Sequence, residues 1–183
     1  MVLVDREIIS QQIEKEIITP FEPNLVQPSS YDLTLGERFL WISYEDEGEL
    51  IAYDDTPQYE VIELTGCEDT IELEPGEFCL AHTKEYIYLP SSLSAIVAGK
   101  STWARKGLTV HQTAGWIDPG YRGRITLELK NVGSCILELK VGEPIAQLVL
   151  MENCDLPLNE YNGRYQGAEC VEGAKVLRES KKA

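Results

Sequence analysis

The chain has 183 residues, 43% of them apolar, and 31 acidic against 16 basic side chains give it a formal charge of −15. That size suits one domain with a core of its own and leaves too little chain for a second full domain. The acidic balance argues against a surface that grips the nucleic-acid backbone, and no apolar run approaches the roughly 20 residues that cross a bilayer, so the sequence reads as cytoplasmic, with neither nucleic acid nor membrane as partner.

In chain order, Asp5 followed by REIISQQIEKEII predicts a capped amphipathic helix, because Ile8, Ile9, Ile13 and Ile17 recur at helical spacing and should close one end of the core. QPSSYDLTLG then delivers Gln27, Ser29, Ser30 and Asp32 into a first strand. From about Leu33 the pattern turns to short alternating runs: TIELEPGEFCLAHT with a turn at Pro75-Gly76, RITLELKNVG, and PIAQLVLME. Short strands separated by turns imply a mainly β body, either an antiparallel sandwich, a jelly roll or a distorted barrel.

The stretch AIVAGKST, Ala95 to Thr102, ends in the letters that close a phosphate-gripping P-loop. A P-loop also needs an earlier glycine so that backbone amides curl around phosphate, and that place is taken by Ser94. STWARK, before Gly107, has room for about one and a half helical turns, too short for the long helix that follows a P-loop. The closeness of Lys100, Ser101 and Arg105 needs another explanation.

In GYRGRITLELKN, strand alternation puts Ile125, Leu127 and Leu129 on one face and Arg124, Thr126, Glu128 and Lys130 on the other. Glu128 is then either a solvated carboxylate or a functional one. Just upstream, Gly115, Pro119, Gly120 and Gly123 surround Asp118, which marks either a simple tight turn or a loop whose backbone approaches a ligand. His82 and His111 have no metal-ligand companions in sequence. Cys67, Cys79, Cys135, Cys154 and Cys170 are odd in number and form no C-x-x-C pair, which predicts buried or inert thiols rather than a disulfide framework or a zinc site. From Cys154 the chain mixes Gly, Asn and charges around isolated tyrosines and reads as a mobile tail ordered by a ligand or neighbour.

Taken together, QPSSYDLTLG, GKSTWARKGL, TAGWIDPGYRGRITLEL, PIAQLVL and YNGRYQG resemble, in order and spacing, the dCTP deaminase branch of the dUTPase-like superfamily. The resemblance covers most of the chain. It implies a single domain over 1–183 with a distorted β-barrel or jelly-roll fold, an N-terminal helix, a few short helices, and a tail over about 154–183 that closes on the site. It also implies a homotrimer with nucleotide sites at the interfaces, dCTP and dUTP as substrates, dTTP as an inhibitor, magnesium carried by the triphosphate, and deamination without zinc. The sequence agrees on the last point in lacking the H-x-E and P-C-x-x-C strings by which zinc deaminases hold a metal-activated water.

Residue by residue, Glu128 matches the family's catalytic glutamate, which takes a proton from the water attacking C4 of cytosine and returns it to the departing amine. Ser101 and Arg105 match the groups that orient that water and stabilise charge from across the subunit boundary. Nucleotide-contacting positions of the family fall on Lys100, Ser101, Thr102, Arg105, Asp118, Thr126, Leu127, Glu128, Gln147, Tyr161 and Arg164. Lys100 replaces a usual arginine, Arg164 a usual lysine, and Ala168 a frequent glutamine. Gly115 resembles the relatives that carry dUTP on to dUMP and diphosphate for pyrimidine deoxynucleotide supply, with Asp118 as the group that would activate the second water. A deaminase that stops at dUTP, and a binding or sensor module on the same scaffold, are the alternatives.

Overall fold

The computed structural model describes residues 1–43, 56–66 and 69–175. After helix α1 (Asp5–Lys15) come β1 (Ile18–Thr19), a 3-10 turn (Pro23–Leu25), β2 (Val26–Gln27), β3 (Ser30–Thr34), β4 (Arg38–Ile42), β5 (Tyr59–Glu63), β6 (Thr70–Leu73), β7 (Phe78–Tyr88) and β8 (Leu93–Gly99). The short helix α2 (Ser101–Ala104) follows, then β9 (Leu108–Thr109), β10 (Trp116–Ile117), β11 (Arg122–Asn131), β12 (Leu137–Lys140) and β13 (Pro144–Glu152). The expected mainly β architecture is present. One antiparallel sheet runs β5-β4-β7-β11-β9 with β1 also on β7, a second runs β10-β8-β13-β3-β2, and β12 pairs with β6 in a third. Among the described residues these sheets share one apolar core without joining into a single closed ladder.

The core is built by the alternation read in sequence. Ile125, Leu127 and Leu129 of β11 are buried, as are Leu148 and Leu150 of β13 and Leu33 of β3, and all belong to one cluster with Phe39 and Leu35. Burying such aliphatic and aromatic side chains contributes about 1.5–3 kcal/mol each before conformational entropy is subtracted. The Pro75-Gly76 turn, with Gly76 at φ 87, passes the chain from one sheet to another. Its flanking strands do not pair with each other, since β6 takes β12 and β7 takes β11.

The N-terminal helix departs from its expected form. Its N-cap is Val4, whose N–H donates to Glu7 Oε2 at 3.0 Å, while Asp5 lies inside the first turn. The helix stops at Lys15 with Glu16 in the left-handed region at φ 50, so Ile17 is buried from beyond the helix. Ile8 enters the core, but Ile9 is exposed and Ile13 is 78% exposed. Ile9 and Ile13, four residues apart, share a helix face turned about 100° or more from that of Ile8.

The cysteine expectation is met in part. Cys79, Cys135, Cys154 and Cys170 are free thiols. Only Cys79 is buried, and desolvation pushes its pKa up to about 12, which makes it inert. Cys135 and Cys154 are exposed, because they sit on connections outside the sheets. Cys67 lies outside the described residues.

Candidate active site

The site begins at an irregularity in the longest strand pair. Arg124 stands opposite Tyr86, but Thr126 stands opposite His82, so β7 carries extra residues beside Ile125. Such bulges bend a strand and re-aim its side chains. Here Ile125 N–H donates to Thr83 Oγ1 at 3.0 Å, and the Arg124 guanidinium donates to the carbonyls of Thr83 and Lys84 at 3.3 and 2.6 Å. The bulge thus has its polar groups satisfied. Beyond it, Thr126 and Glu128 project from the polar face of β11 into a cavity of about 470 Å³.

Four segments close around that cavity. β7 contributes Phe78 and Leu80, the connection through β10 contributes Ala114, Trp116, Asp118 and Tyr121, and β5 contributes Tyr59. The C-terminal segment contributes Tyr161, Tyr165, Ala168 and Glu172. The walls are thus aromatic and apolar with three carboxylates, Asp118, Glu128 and Glu172, and without a lysine or arginine among the described lining residues.

Glu128 is held in a definite pose. After β9 pairs with the end of β11, the chain keeps running beside that strand, so Glu128 N–H donates to Val110 O at 3.0 Å. Two residues on, Gln112 N–H donates to Glu128 Oε2 at 2.6 Å, and Gln112 Nε2 donates to Glu128 O at 3.2 Å. Among the described residues Oε1 has no hydrogen-bond partner, which leaves one carboxylate oxygen for a water in the cavity. Asp118 is exposed and accepts a hydrogen bond from the Trp116 indole Nε1–H at 2.9 Å.

The C-terminal segment packs on its own chain as far as Lys175. Tyr161 N–H donates to Pro119 O at 2.8 Å, Gly167 N–H to Arg122 O at 2.7 Å, and Arg124 N–H to Ala168 O at 2.7 Å. Glu172 N–H reaches Thr126 Oγ1 at 3.0 Å. Ala168 is buried against Gly123, where a Cβ would stand 2.9 Å from the Ala168 nitrogen. Residues 176–183 lie outside the described residues.

The other residues singled out from the sequence gather elsewhere. Lys100 Nζ is paired with the Asp32 carboxylate, which also accepts from Gln27 Nε2 at 3.2 Å and Gln147 Nε2 at 3.4 Å, while Gln147 Nε2 reaches Ser30 Oγ at 3.2 Å. Beside this cluster Ser101, Thr102 and Arg105 are exposed on α2, and the Arg105 guanidinium makes no hydrogen bond or ion pair among the described residues. None of Lys100, Ser101, Thr102, Arg105 and Gln147 lines the cavity that holds Asp118, Thr126, Glu128 and Tyr161. Leu127 points into the core, and Arg164 donates to Lys175 O within the C-terminal segment. One chain therefore presents two separate groups, an acidic and aromatic cavity and a cationic and hydroxyl surface.

Sequence reasoning missed Gln112, Tyr59, Tyr165 and Glu172. Gln112 acts through its backbone N–H, which no residue type announces. The isolated tyrosines of the tail were the available signal for Tyr165. His82 is buried in the core, its pKa lowered by desolvation, with Nδ1 at 2.9 Å from Thr83 O.

Comparison with known proteins gives the family and the fold. The sequence model of the dCTP deaminase-like family matches residues 2–153. The "dCTP deaminase, dUMP-forming" of Methanosphaerula palustris is 40% identical over 171 residues, covering 91% of this chain and 91% of that protein. The protein of the same name from Methanoregula boonei is 44% identical over 151 residues, 81% of each. Among solved structures, the 2'-deoxycytidine 5'-triphosphate deaminase of Agrobacterium tumefaciens superposes with a TM-score of 0.64 at 19% identity, over 81% of this chain but 46% of that longer one, a likeness of fold. With a match over most of its length and relatives this similar across nearly whole chains, the protein belongs to the dCTP deaminase-like family.

Proposed function

We propose that the protein is a dUMP-forming dCTP deaminase whose sites are completed between copies of the chain. The observation that carries the first step is the Glu128 carboxylate, with Oε2 clamped by the Gln112 N–H and Oε1 left for water. Oε1 takes a proton as the water oxygen bonds to C4 of cytosine and the C4–N3 double bond opens, that proton goes to the amine as the exocyclic C4–N bond breaks, and the proton left on the added oxygen ends on N3 of the uracil ring. The products of this step are dUTP and ammonia. Proton transfer by a positioned side chain is typically worth 10²–10⁴-fold.

The cavity alone does not suit a triphosphate, since among the described residues its wall offers carboxylates and no cation. Lys100 and Arg105 lie outside that wall on the same chain, and the Arg105 guanidinium has no partner among the described residues. That separation supports a trimer in which Ser101 and Arg105 of a neighbouring copy orient the attacking water and stabilise developing charge, a task an always-charged guanidinium with fixed donors performs well.

For the second step Asp118 takes a proton from another water as its oxygen bonds to the α-phosphorus and the bond to the bridging oxygen breaks, giving dUMP and diphosphate. Magnesium enters on the triphosphate. The cavity wall fits that mode, because it carries the carboxylates Asp118, Glu128 and Glu172, and magnesium is usually held by one or two carboxylates plus substrate phosphates. When bound, the ion neutralises phosphate oxygens and favours departure of diphosphate. Tyr161, Tyr165 and Glu172 would then cover the nucleotide from the C-terminal side.

Incubation with dCTP and magnesium, with nucleotides separated by chromatography, tests the assignment. Ammonia, dUMP and diphosphate are expected in equal amounts. Accumulation of dUTP without diphosphate returns the protein to the simple deaminases, and tight dCTP binding without ammonia release makes it a binding module.

A further inference from the structure

We infer that Trp116 is a positioning residue for the diphosphate-releasing step, holding the Asp118 carboxylate through its indole N–H. This rests on the second step proposed above. The geometry begins with the two-residue strand β10, where Trp116 pairs with Ile96 and Ile117 with Ala95. Side chains alternate along a strand, so Ile117 goes to the core and Trp116 and Asp118 share the opposite face. The indole then meets the carboxylate at 2.9 Å. Pairing of β10 with β8 fixes the Trp116 backbone, and the turn that follows fixes that of Asp118, with Tyr121 N–H on Asp118 O at 3.2 Å.

The ring is not there for core packing. Trp116 remains 56% exposed while lining the cavity, so more than half of its surface stays outside the core. What it supplies instead is a polar handle on a rigid side chain. Apart from the indole, Asp118 Oδ1 has no side-chain or backbone donor among the described residues. An exposed aspartate without that bond samples several rotamers, and a base that wanders from its water loses rate steeply. With the bond in place, one oxygen is occupied and Oδ2 is presented to the nucleotide. Glu128 has the equivalent arrangement, one oxygen held by Gln112 and one presented, so each reacting carboxylate has its own clamp.

Trp116→Phe keeps the ring and removes the donor. The expected result is a fall of about 10- to 150-fold in kcat for dUTP hydrolysis, the range that corresponds to a hydrogen bond to a charged group. Because Trp116 also lines the cavity, the KM for dUTP and the rate of ammonia release from dCTP can shift, but each by a smaller factor than the kcat for dUTP hydrolysis, so dUTP accumulates from dCTP. In an Asp118→Ala background the same substitution should have no further effect on dUTP hydrolysis. Equal losses in ammonia release and dUTP hydrolysis, or a full effect of Trp116→Phe when Asp118 is absent, would overturn the inference. Wild type run alongside separates the two levels: if it yields no dUMP, the second step itself is absent, whereas dUMP formation by wild type and Trp116→Phe alike refutes only the clamp.

Discussion

Glu128→Gln is the substitution whose outcome the structure constrains most tightly. Gln112 N–H points at one carboxylate oxygen from 2.6 Å, so a glutamine at 128 must turn its carbonyl oxygen toward that donor. The reverse orientation would set two N–H groups against each other. The amide NH₂ is thereby directed into the cavity, where it can donate to the attacking water but cannot take its proton. The backbone ladder, including Glu128 N–H to Val110 O at 3.0 Å, is untouched, so the fold should persist. Loss of proton transfer predicts a fall of about 10²–10⁴ in ammonia release, equivalent to roughly 3–5.5 kcal/mol of barrier. Affinity for dCTP should stay within a few-fold, measured by calorimetry on the same preparation. The assay is ammonia release at saturating dCTP and magnesium. A variant that retains more than half of the wild-type rate would remove Glu128 from the mechanism.

Arg105→Ala should also be inactive alone, yet equal mixing of exchanged Glu128→Gln and Arg105→Ala chains should restore about a quarter of the wild-type rate, because a random trimer forms that fraction of sites from two intact contributions. Mixed trimers that stay inactive would refute the shared site. Glu85 is buried, and desolvation raises its carboxyl pKa even though Thr34 N–H and Oγ1 donate to it at 2.9 and 2.7 Å. A raised folded pKa means that its contribution is fully present below the unfolded value of about 4.5 and is lost as pH rises toward the folded value. Glu85→Gln should therefore gain stability relative to wild type as pH rises above that range, in denaturant midpoints measured across pH, and a difference that shrinks with rising pH contradicts the assignment. Gly123→Ala places a methyl against the Ala168 nitrogen and Tyr121 Oη, both 2.9 Å away, at a φ of 152. Strain of about 1–3 kcal/mol should speed hydrogen exchange at the Arg124 and Gly167 amides by at least about fivefold, and unchanged exchange would show that the C-terminal segment is held by something else.

The periodic parts of this molecule are legible in the amino-acid sequence itself. Alternation in RITLELKN assigns Leu127 to the core and Glu128 to the opposite face, and both lie there. Ser94 and the short STWARK run exclude a P-loop, and α2 is indeed one short turn of helix after β8. What escapes such reading depends on backbone placement. The Gln112 clamp is an N–H contact across 16 positions, and the C-terminal segment is attached to β11 through its own main chain at Gly167, Ala168 and Glu172, none of which leaves a compositional trace. Lys100 is visible as a cation, but its pairing with Asp32 is not. Helical spacing likewise cannot tell that Glu16 ends α1 and leaves Ile13 in solvent. The separation of Arg105 from Glu128 within one chain is a matter of topology, since α2 follows β8 in one sheet and Glu128 sits on β11 in the other.

Both chemical steps are read at once by running the reaction on dCTP with magnesium in heavy-oxygen water and weighing the products. Attack of one water at C4 and of another at the α-phosphorus predicts dUMP carrying one solvent oxygen on the base and one on the phosphate, with unlabelled diphosphate and ammonia released in equal amount. Singly labelled dUTP as the end product would contradict the diphosphate-releasing step given to Asp118, label in the diphosphate instead of in the dUMP phosphate would contradict attack at the α-phosphorus, and unlabelled dCTP with no ammonia would contradict the role given to Glu128.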